Sequence, residues 1–282
     1  MYRVLLYAWT LRRQVGRLGD NKTSKSCSFV LLLHNICNWH VLTIREFSFH
    51  QFNANLLWPG TFAFCEWLSQ NRSLLEGQNI LELGRRKIAQ CEHMAESASE
   101  NMRKGKVHVE GEVTVKCSPR PSDTLICGTG ALAIFIRKYL GVDITTSDFD
   151  DKEVEENIVH NCKANEVKLL PHVRHTWGEP FPVSDPNWDL IIASDILLYV
   201  KQYPNLIKTL SFLLKSYKQT NASSLAYYAG ESLELCQPVF LMSWRRRIGG
   251  EEAHFFSGCE HDGLSVKHIG SRVYCISPRI DA

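Results

Sequence analysis

The sequence has ten cysteines but no Cys-x-x-Cys pair, because each stands apart from the others. That scatter argues against a zinc ribbon or a thioredoxin-type site. It suits a reducing compartment better than a disulfide framework. Apolar runs are also short: Phe29–Leu33 ends at His34 and Asn35, far from the roughly 20 residues of a membrane-spanning helix. Charge of one sign is lacking too. With 32 basic and 30 acidic residues the formal net charge is only +2, which argues against a dedicated nucleic-acid binder. One internal stretch, residues 85–126, contains no Phe, Trp or Tyr, although aromatics make up 10% of the whole. These deficits lead to the expectation of a cytoplasmic monomer without membrane or nucleic-acid partners.

What is present is enough for a core: 44% of the residues are hydrophobic. Residues 1–42 show no periodicity and read as an irregular extension. Their first part, to Gly19, holds Arg3, Arg12, Arg13 and Arg17 and no acid, a composition shared by transit peptides and ordinary N-termini. The rest, 43–282, reads as one domain interrupted at 85–126. Strands are expected at Leu42–Phe49, Asn79–Leu83, Val142–Asp148, Leu170–Thr176, Trp188–Ser194 and Val239–Trp244, with a terminal pair at Leu264–His268 and Arg272–Ile276. Helical spacing recurs at Thr61–Leu68 with Thr61 as N-cap, then at Gly130–Tyr139, Asp151–Ala164 and Leu206–Tyr217. Alternating strands and helices imply a Rossmann-like, mostly parallel seven-stranded sheet with an antiparallel edge, flanked by helices.

The signal that organises this reading is split. Asn79–Gly84 is an apolar strand ending in glycine, and Cys127–Phe135 is a glycine turn opening into an apolar helix. Joined, they give Glu82, Leu83 and Gly84 followed by Cys127, Gly128, Thr129 and Gly130. A strand, a glycine turn and a helix start are what a nucleotide-like ligand needs, since backbone must approach it closely. Asp148 follows Gly130 at the distance of an acid that accepts from ribose hydroxyls. Trp177 offers a flat face for an adenine, and the fourth strand ends at Ser194 and Asp195. Thr124–Cys127 is itself a passable strand, so it competes with Asn79–Leu83 for the central slot. The expectation is that Asn79–Gly84 keeps the slot and 85–126 bulges outward, poorly ordered. The pairs His172/His175 and Cys259/His261 suggest ligand spacing, but three residues apart on a strand put side chains on opposite faces. No metal is expected.

The glycine pattern alone fits a nicotinamide-dependent oxidoreductase as well. In its wider setting the chain resembles the seven-strand S-adenosylmethionine-dependent methyltransferases, closest to the lysine-methyltransferase-like (nicotinamide N-methyltransferase-like) family. The carrying pieces are Leu57-Trp58-Pro59, Ile80–Gly84, Gly128–Gly130, Thr146–Asp148, Trp177–Glu179, Ser194-Asp195 and the arginines after the fifth strand. The resemblance implies S-adenosyl-L-methionine as cofactor, lined by Trp58 and Trp177. Its methionine part would be held by the glycine loop of Glu82, Gly84, Cys127, Gly128 and Gly130. Asp148 would hold its ribose, and Ser194 would lie beside it. It further implies a protein lysine as acceptor, with Asp195 facing the amine. Where the family has an aromatic at the third place after that acid, this chain has Leu198, with Tyr199 one later on the substrate side. A binding module that no longer turns over remains the alternative, because 85–126 parts residues that the family keeps adjacent.

Overall fold

The computed structural model describes residues 12–14, 25–31, 40–46, 59–84, 128–218, 224–228, 231–235, 237–245, 250–270 and 272–279. Twelve strands occur among them: β1 (Arg12–Gln14), β2 (Lys25–Leu31), β3 (His40–Glu46), β4 (Ile80–Leu83), β5 (Ile144–Asp148), β6 (His172–Arg174), β7 (Leu190–Ser194), β8 (Ser224–Tyr228), β9 (Glu231–Leu235), β10 (Val239–Ser243), β11 (Leu264–Gly270) and β12 (Val273–Pro278). The helices are α1 (Pro59–Gln70), α2 (Ala131–Phe135, continued by a wider turn to Leu140), α3 (Lys152–Ala164), α4 (Tyr203–Lys215) and α5 (Glu252–His261).

Seven strands form the main sheet in the order β11-β12-β10-β7-β4-β5-β6. Pairing is parallel from β10 through β7, β4 and β5 to β6. Only β12 runs against its neighbours β10 and β11, so the antiparallel strand lies one place in from the edge. The chain reverses its direction of progress at β4, flanked by β5 and β7, and the crevice beyond the strand ends there is where such sheets take ligands. Asn79–Leu83 does hold the central slot. Its start is fastened by Asp189, whose Oδ2 accepts from Asn79 N at 2.8 Å.

Side chains alternate along each inner strand, and the two faces bury different clusters. Ile80, Ile192 and Leu241 lie with α1, α2 and α3, whereas Leu81, Ile191, Phe240 and Met242 lie with α4 and α5. β4, β7 and β10 are buried at every position, as a parallel strand covered on both sides should be. At the C-terminal tips the α1 face turns polar: Glu82, Ser194 and Ser243 take the places that leucine and isoleucine hold one turn of the pleat earlier.

Several boundaries differ from the sequence reading. α1 starts at Pro59, not at a Thr61 cap; proline suits a first turn because its missing N–H would be unsatisfied anyway. Thr61 is instead buried, its Oγ1 2.9 Å from Ser194 Oγ. The terminal strands are longer than expected, and α5 and the β8–β9 hairpin, which the sequence reading does not include, precede them. Two strands, β1 and β2, fall within residues 1–42; β1 pairs with β2 and β2 with β3, making a separate three-stranded sheet. The 85–126 interruption lies outside the described residues. α3 matches its expectation closely, with Asp151 capping it through Glu153 N at 2.8 Å.

Leu81 is fully buried on the α4 face of the central strand. Leu81→Ala should cost about 2–5 kcal/mol, read as a lower urea midpoint at unchanged slope; a loss under 0.5 kcal/mol would contradict this packing.

Candidate active site

The first link is between the two halves of the glycine signal. Glu82, near the end of β4, accepts a hydrogen bond from Ala133 N in the first turn of α2 through Oε2, at 3.1 Å. A carboxylate at a helix start meets both an orphan N–H and the positive end of the helix dipole. Glu82 is buried beside Cys65 of α1, and desolvation pushes its carboxyl up to about 7, with the Ala133 N–H opposing that rise. Strand β4 and the helix after the glycine turn are thus joined by a side chain. The described contact of Glu82 is to α2, not to an open crevice.

Gly84 caps the strand by donating to Ser147 O at 2.6 Å. A Cβ here would stand 2.2 Å from that oxygen and 2.5 Å from Asp148 Oδ2, so only glycine lets Asp148 come this close. Asp148 is buried at the tip of β5, and its Oδ1 accepts from Phe149 N at 2.9 Å. Beside it, Ser147 Oγ is buried and has no partner among the described residues. Gly128, Thr129 and Gly130 are buried, and Gly130 takes a left-handed φ of 62° as α2 begins.

Across β4 the other strand tip supplies Ser194 and Asp195. Ser194 is spanned to α1 by Thr61, and Ser243 Oγ donates to Gly60 O at 3.2 Å. Asp195 has a left-handed backbone, φ 53°, and is 1% exposed. Its carboxylate lies against Gly60 in the first turn of α1, where a Cβ would be 2.0 Å from Oδ2. A helix N-terminus favours that negative charge. Tyr199 and Leu198 are both half-buried, so neither is set apart by exposure.

Trp177 is 3% exposed and packs in the α4-side cluster, its Nε1 without a partner among the described residues. The turn that carries it is held from α4: Gly178 N donates to Thr209 Oγ1 at 3.0 Å and Lys208 Nζ to Gly178 O at 2.7 Å. Of the expected site residues, Trp58 and Cys127 lie outside the described residues. The structure brings Glu82, Gly84, Gly128, Gly130, Asp148, Ser194 and Asp195 to one end of the sheet. Thr61 and Gly60, which also border it, escape sequence reasoning because their partners are more than 130 residues away. His172 and His175 take different partners, Thr146 Oγ1 and Thr209 Oγ1.

A model of the lysine methyltransferase family matches residues 124–232. That segment is similar to the lysine methyltransferases. Its boundaries take in the glycine turn, Asp148, Trp177, Ser194 and Asp195, and the cofactor of this methyltransferase family is S-adenosyl-L-methionine. Among curated proteins none matches the chain significantly. Solved structures similar to it include a SAM dependent methyltransferase from Aquifex aeolicus, at 12% identity and TM-score 0.40, covering 77% of this chain and 91% of that one. Another is a T. thermophilus rRNA methyltransferase in complex with AdoMet and guanosine, at 10% identity and TM-score 0.47, covering 97% and 58%. A third is the CcbJ methyltransferase of Streptomyces caelestis, at 8% identity and TM-score 0.40, covering 78% and 90%. The residues present fit the cofactor: the buried glycine turn Gly128–Gly130 at a helix start, the Asp148 carboxylate that Gly84 admits to the tip of β5, and the Ser147 hydroxyl, buried and without a partner among the described residues.

Because burial pushes its carboxyl up to about 7 from an ordinary 4.5, Glu82 holds its proton in the native protein between those two pH values while the unfolded chain has lost it. Its contribution to stability therefore falls as pH rises from about 4.5 through 7, by on the order of 3 kcal/mol. Thermal melts across that range should show the wild type losing stability relative to Glu82→Gln; parallel profiles would remove the buried-carboxyl assignment.

Proposed function

We infer that the protein is an S-adenosylmethionine-dependent N-methyltransferase whose acceptor is a lysine side chain of another protein. The observation that carries the reading is the convergence of two glycine fragments, Asp148, Ser194 and Asp195 where the sheet order reverses at β4. The family matched by residues 124–232 supports the choice of acceptor.

Bound S-adenosylmethionine supplies a methyl group on a sulfonium, a carbon already activated for displacement. The protein's own task is then placement. The backbone at Gly84 and the Gly128–Gly130 turn would hold the methionine part, and Asp148 would accept from the ribose hydroxyls. Trp177 borders the adenine side, and Ser194 lies next to the reacting end. Asp195, fixed against α1, orients the incoming amine, with Tyr199 on the acceptor side. The amine has to be neutral to attack, and a site walled by buried strands lowers a lysine pKa without a dedicated base. A second reading, a methyltransferase-like module that no longer turns over, is favoured by one feature: the aromatic-free stretch 85–126 between the two glycine fragments.

Calorimetry with S-adenosylmethionine on the intact chain and on a version lacking residues 85–126 separates the two. Binding by both, with label passing from radioactive cofactor to a lysine in a protein extract, is the expected result. Binding by the shortened chain alone would favour the module, and binding by neither would end both readings.

A further inference from the structure

Three asparagines of α3 and its C-cap, Asn157, Asn161 and Asn165, recur at a spacing of four and so form one stripe. All three are buried, at 0%, 0% and 2% exposure. Polar side chains that deep are retained only if their hydrogen bonds are met. Theirs are met by an unusual partner, the free edge of β3.

Among the described residues β3 pairs with β2 on one side only. In an antiparallel ladder alternate residues turn both N–H and C=O away from the neighbour. On β3 those residues are Thr43 and Arg45. Asn165 accepts from Thr43 N through Oδ1 at 2.9 Å and donates to Thr43 O from Nδ2 at 2.7 Å. Asn161 does the same for Arg45, accepting from N at 2.7 Å and donating to O at 3.3 Å. Asn157 donates to Arg45 O at 3.2 Å and accepts from Arg45 Nε at 2.8 Å. The side-chain amides stand in for the missing strand.

Each of the three has a second donor bond, and two of these go to the glycine turn. Asn157 Nδ2 donates to Gly128 O at 2.8 Å, and Asn161 Nδ2 donates to Thr129 O at 3.0 Å. Asn165 instead spends its second donor on Asn161 O at 2.8 Å, within its own helix. Ile158, between the first two, closes on Gly130, where a Cβ would meet its side chain at 3.2 Å. The geometry points to Asn157 and Asn161 as positioning residues that fix the carbonyls of the cofactor turn, and to β3 as the brace that fixes them. With those carbonyls turned onto α3, the peptide N–H groups of the turn are left for the ligand. The inference rests on the reading that this turn holds S-adenosylmethionine.

The full-length protein is tested with S-adenosylhomocysteine, so that binding is measured without turnover. Asn157→Ala should raise its Kd roughly tenfold, in line with the loss of about one buried hydrogen bond to the turn. Asn165→Ala, which releases β3 without touching the turn, should lower Tm comparably and change Kd less than about twofold. Coupling is reciprocal, so saturating ligand should slow amide hydrogen exchange at Arg45 in the wild type, a readout independent of any variant's folding. Equal weakening by both variants, or no slowing at Arg45 on a protein that binds the ligand, overturns the positioning role while leaving the cofactor reading intact. Failure of the wild type to bind S-adenosylhomocysteine at all overturns both.

Discussion

A single buried carboxyl group holds the ligand end of this molecule together. Glu82 leaves β4 on the α1 face and takes up the Ala133 N–H at the start of α2, so that strand, turn and helix are brought together in space where the chain does not keep them adjacent. Closing a flexible loop of as many residues as 85–126 costs about 3 kcal/mol, a sum that one buried hydrogen bond offsets only in part. The remainder comes from burial. Ala131–Ile136 sits entirely within the apolar layer shared with α1 and α3, which fixes α2 irrespective of how the chain reaches it. The placing of Glu82 is costly in its own right, since burial disfavours its charge.

The strand tips show how one alternation serves two ends. Through the middle of β4, β7 and β10 it separates two apolar clusters; at the last residues it gives Glu82, Ser194 and Ser243 on the same face. Helix α1 closes over that polar row through Thr61 and the Gly60 carbonyl. Asp195, one residue past β7, must then turn with a left-handed φ to set its carboxylate on Gly60. Backbone in that region costs on the order of 1–3 kcal/mol for a residue other than glycine, and it survives where neighbours over-determine it. Here the strand behind and the helix in front both do so.

How much of this was legible follows from what each feature depends on. The parallel strands were legible because short apolar or β-branched stretches, continuous at Leu190–Ala193, end in Gly84, Asp148 and Ser194 and alternate with helices. The Rossmann-like order followed from alternation with amphipathic helices such as α3 and α4. The helix start at Asp151 was readable, but the cap at Thr61 was misplaced, because the same hydroxyl that caps helices also bonds across a core, and sequence cannot say which. Glu82 was picked out as part of the glycine signal, yet its bond to α2 depends on where α2 docks. The asparagine stripe carried no apolar periodicity, so a reading built on hydrophobic spacing passed over it. The turn at Trp177 was placed correctly, while its support from Thr209 and Lys208 needed α4 to be set down first.

Both shores of the 85–126 passage are moored to elements outside it. Gly84 is tied to Ser147 on β5, and Gly128 to Asn157 on α3. Neither mooring reads how many residues lie between them. The tip of β4 is accordingly a place where a gene can gain or lose length without shifting the register of the strands on either side.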